Sequence, residues 1–353
     1  MKVAITGIIG VSKGYGGFET LAENLLGKNS PITTVYCSSA YFSEKKKIYK
    51  DTKLVYLPIK SKGYTKILHT GFSMLHAAMT GHKKILLLGV SGGLTIPILK
   101  LFFPKIEIIT NIDGLEWKRG KWSYIVSKFL KLLEYLCCKF SDVIVADNEV
   151  LASYVKDEYG FNPVQIAYGG DQALAGHNNS GNSSDVYNVF ALCRIVPENN
   201  VHMILKAFSK SNKLITFIGN WDDSKYGIKL KKQYINYKNF NLKDPIFDQD
   251  ILYKLRSQSH AYVHGHSVGG TNPALVEMMH FGKIIYAFDC GYNRATLENN
   301  GKYFKNEQDL QIILKNSPSF YDDEDGRKIK KLAKKRYTWN IVRQQYFNLL
   351  IQK

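Results

Sequence analysis

Cysteine, proline and acidic side chains are all scarce in this sequence. The five Cys, at 37, 137, 138, 193 and 290, are odd in number and form no Cys-x-x-Cys pair, and most sit inside apolar runs such as Leu136-Cys137-Cys138. That excludes a disulfide-stapled secreted scaffold and points to buried free thiols in a reducing cytoplasm. Nine Pro and 28 Gly are too few for a collagenous or low-complexity chain. With 30 Asp+Glu against 48 Lys+Arg, the formal charge is +18. A field of that size draws the chain towards nucleic acid, a phosphorylated small molecule or an acidic membrane surface. No helix-turn-helix, RRM or zinc pattern is present, so nucleic acid is not an expected partner, and the His and Cys spacings hold no metal motif. Long hydrophobic runs are nearly absent too. Only 85–103 reaches bilayer length, and Ser91-Gly92-Gly93, Pro97 and Lys100 break it, so it reads as a buried strand at 85–90, a glycine turn and a helix start. The first residues enter a strand pattern at once, without an n-region or cleavage site, so no signal peptide is expected.

What is present fits a folded chain: 45% hydrophobic and 22% charged residues over 353 positions, a length that suits two domains. β-rich runs near 2–7, 33–37, 53–57, 84–90, 106–111 and 142–146 alternate with helical patterns near 17–28, 66–80, 94–102 and 121–140. Residues 169–186 are then polar, rich in Gly, Asn and Ser, and without period. The alternation restarts with strands near 188–193, 214–219, 260–264 and 284–288 and helices near 201–210, 249–256 and 273–280. This is the pattern of α/β units on parallel sheets. We expect two Rossmann-like doubly wound domains, 1–170 and 188–336, joined by a linker at 171–187 and facing across a cleft. A last helix at 337–353 is expected to pack back on the first domain. Ligands of such sheets sit at the carboxyl ends of the strands.

Several motifs lie at those ends. Gly7 and Gly10 suit a dinucleotide fingerprint, but Lys13 takes the third glycine's place and Cys37-Ser38-Ser39 offers no acid for a ribose. An NAD-dependent nucleotide-sugar epimerase or reductase, using these glycines with Tyr124 and Lys128, is therefore the alternative reading. Gly14, Gly16 and Gly17 could instead form a flexible loop that brings backbone N–H groups to a phosphate or sugar. Asp248-Gln249-Asp250 spells a metal-binding Asp-x-Asp, yet it stands where a helix N-cap is expected. The most informative stretch is His264 to Met279. It reads as a glycine turn (Gly269, Gly270, Thr271), Asn272 as N-cap, Pro273 at the first helical position, and Glu277 about one and a quarter turns on. Such a helix start can seat an anion, and Glu277 would then accept hydrogen bonds from sugar hydroxyls. A plain tight turn into a helix is the competing reading.

Gly269-Gly270-Thr271-Asn272-Pro273 with Glu277 resembles the donor-nucleotide helix of retaining GT-B glycosyltransferases of family 4. Arg194-Ile195-Val196-Pro197-Glu198-Asn199-Asn200 is similar to that family's diphosphate-gripping turn. Gly14–Glu19 and Asn111–Arg119 resemble a bacterial branch that includes rhamnosyltransferases of capsule and O-antigen assembly. The resemblance runs from Lys2 to the helix at Tyr337-Thr338-Trp339. It implies transfer of a hexosyl or 6-deoxyhexosyl unit, rhamnosyl among them, from a nucleoside diphosphate sugar to a lipid-diphosphate-linked saccharide acceptor. No metal or other cofactor is implied. Arg194 would stabilise the leaving diphosphate, Glu277 would contact the nucleotide ribose, and Asp113 would sit over the donor sugar. Gly16, Gly17, Asn199, His266, Gly270, Thr271 and Asn272 would complete the donor site, with Glu116 and Trp117 towards the acceptor. Two positions depart from the family. Gly269 stands where the first Glu of Glu-x7-Glu is usual, which would leave the sugar contact to His266 or backbone amides. Asn199 and Asn200 replace a Lys, so Arg294 or a Lys of the other domain would have to compensate.

The same resemblance implies work on the cytoplasmic face of the inner membrane, with the protein attached peripherally to an anionic surface. Two basic patches could serve. One is Lys118-Arg119-Gly120-Lys121 with Trp122, Phe129 and Leu133 on the following helix. The other is the run 327–336, whose apolar positions 329, 332 and 333 equally suit a helix with a solvated basic face.

Overall fold

The computed structural model describes residues 2–12, 16–112, 114–118, 122–174, 176–177, 186–317 and 324–352. The chain forms two compact units, one of residues 1–167 and 340–353 and the other of residues 168–339.

The first unit runs β1 (Val3–Thr6), α1 (Gly17–Leu25), β2 (Ile32–Ser38), β3 (Ile48–Tyr49), β4 (Thr52–Leu57), α2 (Thr65–Met79), β5 (Lys84–Leu88), α3 (Thr95–Phe102), β6 (Glu107–Asn111), α4 (Tyr124–Phe140), β7 (Val143–Ala146), α5 (Glu149–Tyr159) and β8 (Val164–Gln165). Its eight strands lie in the order β3-β4-β2-β1-β5-β6-β7-β8, all parallel except the β3–β4 pair. β5 is wholly buried, which explains why its sequence reads as a continuous apolar run rather than an alternation. The order reverses at β1, whose neighbours are β2 and β5, and the chain leaves β1 through Gly7 at φ 89°. A Cβ there would lie 2.3 Å from the Leu88 carbonyl oxygen, so only glycine lets the strand exit so close to β5.

Three helices share one core on this sheet: Met74 and Ala77 of α2, Ile96 and Leu99 of α3 and Cys137 of α4 pack together with Ile85 and Ile108. α4 starts at Ser123, whose hydroxyl accepts from the Val126 N–H. Contrary to expectation, Leu133 is buried and does not join Phe129 on the exposed side of α4.

The second unit runs β9 (Asn188–Leu192), α6 (Val201–Phe208), β10 (Leu214–Ile218), α7 (Lys225–Tyr234), β11 (Phe240–Lys243), α8 (Gln249–Gln258), β12 (Ala261–His264), α9 (Pro273–Met279), β13 (Ile284–Phe288), α10 (Gly291–Leu297), β14 (Lys302–Phe304), α11 (Glu307–Lys315) and α12 (Glu324–Arg336). Its sheet, β11-β10-β9-β12-β13-β14, is entirely parallel. Counted from β9 the order is the 3-2-1-4-5-6 of a doubly wound nucleotide-binding sheet, with its switch point between β9 and β12. α12 carries the basic run 327–336; it buries Ile329, Leu332 and Ala333 and leaves Lys328 exposed beside Glu324 at 2.7 Å. α13 (Trp339–Ile351) follows, and from residue 340 on it belongs to the first unit. There the Asn111 amide donates to the Tyr346 hydroxyl at 2.5 Å, and Arg343 Nε donates to the Asn24 carbonyl at 2.9 Å.

Asp171–Leu174, assigned to a linker on composition, form a turn of 3-10 helix fastened to the second unit: the Asp171 carboxylate accepts from the Trp339 backbone N–H at 2.7 Å. Residues 175 and 178–185 of that linker lie outside the described residues.

Five His, at 69, 82, 260, 264 and 280, have pKa values lowered from 6.5, chiefly by burial. A base with a lowered folded pKa contributes stability above its unfolded pKa, because below it the unfolded chain binds the proton and the native state does not. The urea midpoint should therefore fall as pH drops from about 7 to about 5, across the ordinary His range. A midpoint that stays constant over that window would contradict a net lowering of these pKa values in the native state.

Candidate functional site

At the switch point of the second unit, two loops leave the carboxyl ends of β9 and β12 and are tied together by Asn199. Its Nδ2 donates to the Arg194 carbonyl at 2.7 Å, so its Oδ1 faces His266 Nδ1 at 2.7 Å. That partner assigns the proton to His266 Nδ1. The Ser267 N–H and hydroxyl both donate to the Glu198 carbonyl, at 3.0 and 2.8 Å, and the buried Asn293 amide holds the His266 carbonyl at 2.9 Å. A Cβ on Gly265 would lie 2.1 Å from the Asn199 carbonyl oxygen, so the close approach of the two loops needs glycine there. Beyond Gly269, at φ 132°, come Gly270 and the buried Thr271; then Asn272 Oδ1 accepts from the Ala274 N–H at 3.0 Å and caps α9, with Pro273 at the first position. Arg194 is exposed on this loop pair and has no carboxylate partner among the described residues.

Glu277 lies one turn into α9 and is gripped from two sides. Gln172 Nε2 donates to its Oε1 at 2.8 Å, and Arg256 Nη2 of α8 forms a charge-assisted bond with its Oε2. Trp339 Nε1 in turn holds Gln172 Oε1 at 2.6 Å. Burial raises the Glu277 carboxyl above the usual carboxylate range, and Arg256 foremost, then Gln172, hold it down. Gly169 and Gly170 let this cluster close. A Cβ on Gly169 would lie 2.5 Å from the Trp339 ring, and one on Gly170 would lie 2.7 Å from the Glu277 nitrogen.

Sequence reasoning missed Arg256, although a signal existed. Leu252, Tyr253 and Arg256 form the buried face of α8, and a cation on an apolar face is a candidate partner for a buried acid. Arg256 is only 3% exposed, and its Nη1 has no partner among the described residues. Arg294, expected as a compensating cation, is instead paired with Asp289 through Nε at 2.5 Å and Nη2 at 3.0 Å. Asp248 caps α8, accepting from the Asp250 and Ile251 N–H groups at 2.9 and 3.0 Å.

In the first unit, the loop after β1 is anchored by Glu19, whose Oε1 accepts from the Ile9 N–H at 3.0 Å. Gly16 is the N-cap of α1, and a Cβ there would lie 2.4 Å from Glu19 Oε2; Gly17 begins the helix, exposed. Glu116 Oε1 accepts from Trp122 Nε1 at 3.3 Å. Trp117 Nε1 donates to Glu134, a buried carboxylate that also accepts from Tyr154 and Tyr159 at 2.8 Å each, so the indole N–H is engaged within the unit. Glu116, Trp117 and Glu134 line a cavity of about 10 Å³, room for about one water molecule. Lys128 lies over the Tyr124 ring at 5.4 Å on the exposed side of α4, with Tyr124 itself 75% exposed, which is no setting for a reductase Tyr-Lys pair. Asp113, Gly14 and the Arg119-Gly120-Lys121 patch lie outside the described residues.

The Arg256 pairing changes what a truncation should do. Glu277→Ala would be expected from its sequence position to spare the fold, but it strands a buried guanidinium. It should cost about 3 kcal/mol in urea unfolding, whereas Arg256→Met with Glu277→Leu should recover most of that loss. Equal stability of Glu277→Ala and wild type would show that the pair is solvated.

A domain family described as "Domain of unknown function (DUF1972)" matches residues 1–171. None of the curated proteins matches the chain. Solved structures do, over nearly the full length of both partners. Sucrose-phosphate synthase from Thermosynechococcus elongatus superimposes with a TM-score of 0.77 at 14% identity, covering 99% of this chain and 98% of that one. HepE of Anabaena in complex with UDP gives 0.71 at 12%, covering 99% of each. The E. coli trehalose-6-phosphate protein bound with UDP-2-fluoro glucose gives 0.72 at 10%, covering 100% and 99%. With two doubly wound sheets and this correspondence along the whole chain, the fold is GT-B.

Proposed function

We propose that the protein is a glycosyltransferase that moves a hexosyl or 6-deoxyhexosyl unit, rhamnosyl among the candidates, from a nucleoside diphosphate sugar to a lipid-diphosphate-linked saccharide, with retention at the anomeric carbon. The observation that carries the reading is a pair of groups at the β9/β12 switch point: an exposed Arg194 without a carboxylate beside it and a carboxylate, Glu277, held by Arg256 and Gln172. Such a pair suits a diphosphate and the ribose beside it. HepE and the E. coli trehalose-6-phosphate protein, which share this fold, were solved with UDP and UDP-2-fluoro glucose.

In this reaction the bond between the anomeric carbon and the diphosphate oxygen breaks as the acceptor oxygen bonds to that carbon. Negative charge grows on the leaving phosphate, so stabilising it is the main task, and Arg194 with the loop Gly270-Thr271-Asn272 would do so. The departing phosphate takes the acceptor's proton, so no hydrolase-like carboxylate pair is needed. His266, oriented by Asn199, is a candidate for contact with the donor sugar, as are Asp113, Gly16 and Gly17 on the sequence resemblance. Glu116 and Trp117 would stand towards the acceptor. Tyr124 and Lys128, lying on an exposed helix face, argue against the epimerase or reductase alternative. No helix among the described residues is long and apolar enough to cross a membrane. We place the protein peripherally at the cytoplasmic face of the inner membrane, where lipid-linked precursors of surface polysaccharide would be met.

Purified protein should transfer sugar from at least one nucleoside diphosphate sugar to a lipid-diphosphate acceptor, read by mass spectrometry. Arg194→Ala and Glu277→Gln should each lower turnover by about two orders of magnitude, ~2.7 kcal/mol of transition-state stabilisation. The Gln variant is chosen to keep a polar partner for Arg256. Wild-type rates in either variant at sub-saturating donor would remove that residue from the site. Transfer should also persist in EDTA; activity that disappears and returns with Mg²⁺ or Mn²⁺ would refute the metal-free reading.

A further inference from the structure

More than half of the large apolar side chains exposed among the described residues lie between 64 and 132, on α2, α3 and α4. They are not scattered. On α2, Leu68, Phe72 and Met79 follow one another at helical spacing; on α3, Ile98, Leu101 and Phe102 do the same; on α4, Ile125, Phe129 and Leu132 do so beside Lys128. The opposite faces of these helices bury into a single core on the same side of the first unit's sheet, and α3 packs against both α2 and α4. Their outer faces are therefore one side of the unit. Three neighbouring helices that all turn an apolar stripe outward make the kind of clustered apolar surface that marks an interaction site.

The charge around the patch is predominantly positive, although Lys100 and Lys131 are paired with Asp142 and Glu158. Between 60 and 132 the sequence has twelve Lys and Arg against three Asp and Glu. Neither α2 nor α3 contains an acid, and the only one on α4, Glu134, is buried and held by Trp117, Tyr154 and Tyr159. Lys60, Lys62, Lys66, Lys105 and Lys128 have no carboxylate partner among the described residues. Tyr64 and Tyr124, amphipathic rings at the starts of α2 and α4, are exposed at its border.

We infer that the outer face of α2, α3 and α4 is a docking surface for an anionic lipid bilayer, into whose headgroup region Phe72, Leu101 and Ile125 insert while the surrounding lysines reach the lipid phosphates. A second copy of this chain fits the same face poorly, because it would bring like-charged rims together. A neutral protein groove would leave the shared sign of the lysines without a reason, whereas an anionic bilayer matches both the apolar stripes and the basic rim. The inference sharpens the membrane location proposed above and replaces the smaller patch of Trp122, Phe129 and Leu133 as the apolar contact, since Leu133 is buried.

The test is vesicle co-sedimentation of the full chain with phosphatidylcholine alone and with phosphatidylcholine mixed with phosphatidylglycerol. Wild type should partition preferentially to the anionic vesicles, and part of that binding should survive high salt because the stripes insert. Phe72→Glu, Leu101→Glu and Ile125→Glu combined, at side chains 55%, 74% and 79% exposed, should lower partitioning by roughly a hundredfold. Their urea unfolding and their turnover with a short-chain, water-soluble acceptor should equal wild type, so the outcome does not depend on the glycosyltransferase reading. Lys118→Ala should weaken binding far less than the triple variant does. Equal binding to neutral and anionic vesicles, or a triple variant that partitions like wild type, overturns the proposal. Self-association in solution that the triple variant abolishes also overturns it, in favour of a second copy.

Discussion

A parallel strand pair cannot be closed by a hairpin, so apart from the antiparallel β3–β4 pair the strands of these sheets return through crossovers that pack on one face. When the chain starts in the middle of a sheet, builds outward and then restarts on the other side, two successive crossovers part at the starting strand. The gap opens at the carboxyl ends of β9 and β12 in one unit and of β1 and β5 in the other. The glycines after β1, Arg194 and the turn before α9 fall in these gaps. Gly7 and Gly265 mark how tight these exits are, since a Cβ at either would meet the backbone of the neighbouring segment.

Within the second unit the Glu277 carboxylate is held by groups drawn from three places in the chain. Arg256 comes from α8, Gln172 from the turn where the chain enters the unit, and Trp339 from the end where it leaves. A buried guanidinium whose Nη1 has no partner among the described residues is not an economical way to hold a fold together, because an apolar pair of similar volume would cost less desolvation. Its benefit is electrostatic. Burial alone favours the protonated carboxyl at Glu277, whereas a hydrogen-bond acceptor for hydroxyl groups works best ionised, and Arg256 opposes the effect of burial at that atom.

The chain's large positive charge has a comparable local logic. Half of it falls around an apolar helix layer, where residues 60–132 hold twelve Lys and Arg against three Asp and Glu, while elsewhere cations such as Lys231 and Arg294 are matched by carboxylates. The same helices serve two surfaces at once: inward, Met74, Ile96 and Cys137 complete the sheet's core, and outward their stripes stay uncovered. That double apolar character is why α3, hydrophobic nearly all round, was confusable with part of a membrane span in sequence.

Alternation of apolar runs and helical periods was enough to give the parallel α/β architecture, because buried parallel strands and their crossovers leave strong, repeated local signals. Among the elements that escaped, β3, β8, β11 and β14 are short strands at sheet edges, and α5, α7 and α11 escaped although Asn148, Ser224 and Asn306 cap them, because a lone cap residue does not by itself mark a helix. The residue types of the site were legible as well, since a glycine turn, an Asn cap and a following Pro obey local rules. What the sequence could not express was partnership. Nothing local says that Gly169 and Gly170, composed like a linker, are where Gln172 reaches Glu277, or that Arg256 rather than a neighbour of Arg194 is the cation the carboxylate meets. Nor does periodicity say which of two apolar faces of a helix is covered. Hydrogen bonds between residues 105 and 167 positions apart depend on how crossovers stack in space, and that only the tertiary structure decides.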